Sequence, residues 1–258
     1  MNAPSAPRLS VDGCVATVTL NRPAHRNRLE AGDLNTLLDQ FERVNADPAI
    51  RVLVLTALTE GQGRPVFCAG YHIGSFDDQD SDPRLFERVA NALAALRPVT
   101  VCALNGSVYG GATDLMLACD LVIGLTGIEF RMPATALGLH YYPAGLQRYV
   151  ARLGLSGAKR AFLSARPFTA EMLWQAGCLE ALVAPEDFDA TVNQLVKELV
   201  ALAPLAVQAT KQSLNEIAAG VTDLAAMRAR EALTSASADF AEGRQAFQEK
   251  RLPRFSGR

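Results

Sequence analysis

Apolar and polar positions fall along this chain in two kinds of block, and the blocks predict an α/β protein. Residues 51–57 (R-V-L-V-L-T-A) and 99–104 are short, almost wholly apolar runs, the pattern of strands buried on both faces of a sheet. In residues 33–46, by contrast, Leu34, Leu37, Leu38, Phe41 and Val44 recur with helical spacing, and in 85–96 Leu85, Phe86, Val89, Leu93 and Leu96 do the same. Residues 11–20 alternate around Asp12-Gly13, which predicts a strand pair or a bent strand. Residues 67–76 read as a strand ending in Ala69-Gly70, followed by an acidic polar loop at 77–83. Residues 130–149, dense in proline, glycine and rings, read as irregular. Short helices at 156–165 and 169–176 then precede a strand at 179–183 and a helix from Pro185 to Leu202.

Beyond Pro204 no strand pattern remains. Helices are expected over 204–219 and 222–251, separated by Gly220. This predicts a core at 1–203 and a helical subdomain at 204–258, whose apolar stripes must rest on the main domain or on another subunit.

The densest local pattern is V-C-A-L-N-G-S-V-Y-G-G-A-T-D-L-M-L-A-C-D-L-V-I, residues 101–123. It reads as strand, glycine turn, helix and strand, with the helix starting beside Gly110-Gly111. Backbone without side chains permits close approach of a ligand, and the N–H groups of a first helical turn favour negative charge. Asp114 lies one turn in, where a carboxylate also suits the helix dipole alone. The segment ending in Ala69-Gly70 repeats the design and presents the N–H of Tyr71. Residues 21–29 form a basic loop directly after a strand, with Arg22, His25, Arg26 and Arg28; it fits a phosphate-gripping loop and a solvated one equally.

Composition narrows the classes. With 49% hydrophobic residues, 20% charged residues and a net charge of −2, the chain is globular and lacks the bulk charge of a nucleic-acid binder. Its five cysteines show no C-x-x-C spacing, so neither a metal site nor a disulfide framework is indicated. No leader-like apolar segment or membrane-length run is present, and a cytoplasmic location is expected.

Four motifs occur in order: N-R-P-x-x-x-N-x-L, F-C-A-G-x-x-I, N-G-x-x-x-G-G-x-x-[DE]-L-x-x-x-C-D and E-G-x-x-A-F-x-E-K-R-x-P-x-F. Together, over residues 11–255, they resemble the crotonase superfamily, the enoyl-CoA hydratases and isomerases. The resemblance implies a spiral of ββα units, a C-terminal helical region that assembles homotrimers or homohexamers, and a coenzyme A thioester as substrate with no further cofactor. It places an oxyanion hole on the N–H groups of Tyr71 and Gly111. It assigns coenzyme A contacts to Arg22, His25, Arg26, Arg28, Ala69 and Lys250, with Arg251 beside it. The first of the family's two catalytic glutamates falls on Asp114, and the second on Ala134, which cannot transfer a proton. His72 stands where the family usually has aspartate.

The function implied is an acyl-CoA enzyme that stabilises a thioester enolate, read as a hydratase-type lyase with one carboxylate, Asp114, and with His140 or Tyr141 positioning water. Enoyl-CoA isomerisation stays open, although that base commonly comes from the position of Ala134. Decarboxylation stays open as well, because G-S-V-Y-G-G-A and Tyr141 match methylmalonyl-CoA decarboxylase, whose oxyanion histidine falls on Tyr71. A CoA-ester binder without catalysis is the third reading. Phe76, His140, Tyr141 and Tyr142 suggest an aromatic or compact polar acyl group.

Overall fold

The structure, a computed structural model, describes residues 5–72 and 82–258; Phe76 and most of the acidic loop lie outside them. Each turn of the chain lays one strand in each of two sheets and then adds a helix. The first turn of this kind runs through β3 (Val52–Ala57), β4 (Val66–Cys68) and α2 (Leu85–Ala94). The second runs through β5 (Val99–Leu104), β6 (Ser107–Tyr109) and α3 (Ala112–Ala118), and the third through β7 (Leu121–Leu125), β8 (Glu129–Arg131) and α4 (Pro143–Ser164). Ahead of them stand β1 (Arg8–Asp12), β2 (Val15–Leu20) and α1 (Ala31–Ala46). β9 (Phe168–Thr169), α5 (Ala170–Gln175) and β10 (Ala181–Val183) follow.

The larger sheet has the order β1-β2-β3-β5-β7-β10, parallel except for the β1–β2 hairpin. The smaller, β4-β6-β8-β9, is parallel except at β8–β9. Helical crossovers cover parallel strands, so the central strands are apolar on both faces: every residue of β5 is buried. α1 turns Leu34, Leu37, Phe41 and Val44 inward, and full burial of each such side chain contributes ~1.5–3 kcal/mol. The spiral of ββα units expected from the sequence is the observed fold.

Three elements differ from expectation. Residues 107–109 form a strand, β6, where a continuous glycine turn was expected. Helix α4 begins at Pro143, inside the segment expected to be irregular, because proline at the first helical position sacrifices no hydrogen bond. It kinks at Gly154 (φ 67°, ψ 168°), just before the predicted helix 156–165. The expected single helix 222–251 is two, α8 (Leu224–Ser235) and α9 (Ala238–Glu249), because the Ser237 side chain accepts from the N–H of Phe240 and starts a new helix.

α6 (Phe188–Val200) follows β10 and packs into the core through Phe188 and Val192, and the tail beyond it begins with α7 (Pro204–Ala218). Arg51, at the head of β3, donates to the carbonyls of Val200 (3.0 Å) and Phe255 (2.8 Å) and so ties the C-terminus back to the sheet. Lys211 of α7 pairs with Asp120 at 2.6 Å and donates to the Pro98 carbonyl. Neither α7 nor α8 has a fully buried residue.

Candidate active site

Parallel pairing of β4 with β6 (Val66 opposite Ser107, Cys68 opposite Val108) brings the C-terminal ends of both strands to one place, where open α/β sheets bind ligands. The turn after β4 therefore lies against the turn after β6. Gly70, at φ 95°, is packed so closely that a Cβ there would lie 2.8 Å from the Tyr109 carbonyl oxygen and 3.5 Å from the Gly111 nitrogen. Only glycine fits that approach in that conformation. Gly111 precedes α3, and among the described residues its N–H has no hydrogen-bond partner. The Phe86 ring covers it: a Cβ on Gly111 would meet Phe86 Cζ at 2.7 Å, and Phe86 also packs on the Tyr71 ring at 6.0 Å. The two amides singled out in the sequence, Tyr71 and Gly111, thus sit on adjoining turns.

One turn into α3, Asp114 has no solvent exposure. Arg148 of α4 grips its carboxylate from two sides, Nε to Oδ1 at 2.9 Å and Nη2 to Oδ2 at 2.6 Å, and the Tyr142 hydroxyl donates to Oδ2. Arg148 in turn donates to Asn91 Oδ1 of α2 at 2.8 Å, so the guanidinium ties α2 and α4 to the Asp114 carboxylate on α3. Tyr141 donates to the Tyr142 oxygen at 3.0 Å, and the two rings stack with centroids 4.2 Å apart. Burial, then the charge of Asp114, pushes both phenols above the ordinary tyrosine range. Burial opposes the Arg148 charge, but hydrogen bonding to Asp114 and its charge outweigh this, and the guanidinium holds its proton more tightly than an exposed one. Ala134, buried at the start of a 3-10 turn, adds no carboxylate, and none other joins the network among the described residues.

This arrangement matches known proteins along its length. The family model described as enoyl-CoA hydratase/isomerase matches residues 11–258. The chain belongs to the enoyl-CoA hydratase/isomerase family. It is 34% identical to a 2,3-dehydroadipyl-CoA hydratase of Escherichia coli, over 95% of this chain and 96% of that one. It is 29% identical to a crotonyl-CoA hydratase of Syntrophomonas wolfei, over 93% and 94% of the two. A solved enoyl-CoA hydratase subunit of Geobacillus kaustophilus superposes with a TM-score of 0.86 at 27% identity, over 98% of each chain. As a family member the chain is an acyl-CoA enzyme of the hydratase type.

For this enzyme the remaining predicted residues divide by position. The basic loop docks on the first glycine turn: Ala69 N–H donates to Arg26 O, Leu29 N–H to Gly70 O and His72 N–H to Leu29 O, each at 2.9 Å. Leu29 bridges Tyr71, and Cys68 Sγ donates to Asn27 O, burial pushing that thiol up to about 12. Arg22, His25, Arg26, Arg28 and Ala69 therefore gather beside Tyr71. Within that group Arg22 is held by Asp33 (3.0 and 3.1 Å) and Arg28 by Glu30 (2.9 Å). His25 and Arg26 are exposed, with no side-chain hydrogen bond among the described residues.

Tyr141 joins the Asp114 network; His140 is exposed and makes no side-chain hydrogen bond in it. Lys250 ends α9 in the left-handed conformation, exposed on the helical tail. Arg148 and Asn91 were missed. The signal for Arg148 lies in Pro143: as a helix start it puts Gly145, Arg148 and Tyr149 on one inward face at i, i+3 and i+4. Among the described residues no group of three or more His, Cys, Asp or Glu side chains is placed to hold a metal ion.

Proposed function

We propose that the enzyme adds water across the double bond of a 2-enoyl-CoA, with Asp114 as its single carboxylate. The observation that carries this reading is the meeting of the Gly70 and Gly110-Gly111 turns one helical turn from Asp114, with alanine at the second acidic position. The thioester oxygen lies against the N–H groups of Gly111 and, as the family pattern assigns, Tyr71. Water bonds to the β-carbon, the electron pair moves onto that oxygen, and the resulting enolate takes a proton at the α-carbon. Loss of one such N–H donor typically costs ~10²–10³ in rate. Hydratase names among relatives at 34% and 29% identity support the reaction class.

Coenzyme A phosphates fall to His25 and Arg26 on the exposed side of the first loop, with Arg22, Arg28 and Lys250 as further cations. For assembly we propose a homotrimer, alone or paired into a hexamer. Apolar side chains left open on the tail helices, such as Leu214 (60% exposed) and Phe247 (87%), support it. A cytoplasmic location remains part of the proposal; among the described residues no single helix is long and apolar enough to cross a membrane.

Decarboxylation is the second reading, favoured by Ala134 together with the stacked tyrosines beside Arg148. Mass spectrometry in oxygen-18 water separates the two. Crotonyl-CoA, 2,3-dehydroadipyl-CoA and an aromatic enoyl-CoA are expected to gain labelled water. Loss of carbon dioxide from methylmalonyl-CoA without label, and no hydration, would replace the first reading by the second.

A further inference from the structure

The carboxylate that a hydratase needs is enclosed. Asp114 has no exposed surface, and its oxygens face Arg148 and Tyr142. Of those two, Arg148 holds its protons more tightly than an exposed arginine, whereas Tyr142 offers a hydroxyl that both donates and accepts. That hydroxyl already sits in a chain, accepting from Tyr141 at 3.0 Å and donating to Asp114. Tyr142 caps the N-terminus of α4 and, unlike Asp114, is only half-buried.

We propose that Tyr142 is a catalytic residue that carries the proton between the reacting groups and Asp114. The inference rests on the hydratase reading and specifies how one carboxylate serves both halves of the addition. In the first half the water oxygen bonds to the β-carbon. Its proton passes to Tyr142 Oη as the Tyr142 proton passes to Asp114 Oδ2, and the double-bond pair becomes the enolate. In the second half the α-carbon takes the Tyr142 proton, forming the C–H bond, and Asp114 returns its proton to Oη. Carboxylate and phenol are both restored, and one water supplies both added groups. Burial and the negative charge of Asp114 disfavour the phenolate, so the two transfers at Oη are coupled rather than separated by a stable intermediate. Arg148 and Asn91 are positioning residues that hold the acceptor in place.

Tyr142→Phe keeps the ring that stacks on Tyr141 and removes only the hydroxyl. The full-length variant is assayed against the 2-enoyl-CoA esters above for kcat, KM and rate in mixed light and heavy water, beside Asp114→Asn and the double variant. The relay predicts a kcat lower by ~10²–10⁴ with little change in KM. It also predicts a curved dependence on deuterium fraction in the wild type, and a double variant no slower than either single one. A Tyr142→Phe kcat within about threefold of wild type overturns it. Should that variant fail to fold, 3-fluorotyrosine at 142 preserves shape while changing phenol acidity. The relay predicts an altered kcat and pH profile, and an unchanged profile overturns it. A wild type inert toward every ester overturns the hydratase reading and the relay with it, whereas an active wild type with an undiminished Tyr142→Phe overturns the relay alone.

Discussion

At the scale of single residues, the site is a balance of buried charges. Asp114 is enclosed and its charge is met by Arg148, so removing the cation leaves a desolvated carboxylate without compensation. Arg148→Met is therefore expected to lower unfolding free energy by ~3–5 kcal/mol, read from urea denaturation. Asn91→Ala, which removes one hydrogen bond to the same guanidinium, should cost about 1 kcal/mol in that assay. Equal effects of the two would show that Arg148 is not compensating a buried charge. Gly70→Ala is a backbone test: its Cβ would strike the Tyr109 carbonyl at 2.8 Å in a conformation that favours glycine. Activity should fall by ~10²-fold or more as the two turns separate, while a freely active Gly70→Ala would contradict their close contact.

Among these residues the sequence showed the glycine turns and Asp114, because their chemistry is local: strand, glycine, helix start. It did not show Arg148, which meets Asp114 across 34 positions of chain through a helix whose opening proline resembled a loop. Nor did residue types alone separate Arg22 and Arg28, which are occupied by Asp33 and Glu30, from the exposed His25 and Arg26.

At the scale of elements, long apolar strands and periodic helices were predictable, and short or interrupted ones were not. β6 has three residues between glycine-rich turns, too few to display a period, and is defined by its neighbours β4 and β8. The α8–α9 break lies in a stretch of helical composition and is set by one hydroxyl. Ser237→Ala should destabilise the tail by ~0.5–2 kcal/mol, seen as faster hydrogen exchange at the start of α9, and unchanged exchange would remove Ser237 as the cause of the break. The same tail carries a pH dependence. Glu242 on α9 accepts two Arg251 hydrogen bonds and the Arg254 N–H, which lower its folded value to about 2 from an ordinary 4.5. A lowered carboxylate stabilises above its unfolded value and loses that contribution as pH falls through the folded one. Protection of residues 250–258, corrected for intrinsic exchange, should therefore decline between about pH 4.5 and 2. Glu242→Gln should abolish that dependence.

At the scale of the whole molecule, the two sheets organise the chemistry. Each ββα turn adds a strand to both sheets, so turns separated by 40 residues of chain, at Gly70 and Gly110, come to lie side by side. The helical tail is anchored by Arg51 and Lys211 yet leaves Leu214, Ile217 and Phe247 open. Phe247→Asp should shift sedimentation toward monomer if these side chains form the subunit contact, and an unchanged oligomer would place the contact elsewhere.

Whether one enclosed carboxylate supports hydration is decided by following oxygen-18 incorporation into a 2-enoyl-CoA by wild type and Asp114→Asn. If Asp114 is the catalytic carboxylate, the wild type labels the β-carbon rapidly and the variant loses ~10²–10⁴ in rate, with ester binding retained. Labelling by Asp114→Asn at the wild-type rate would contradict it.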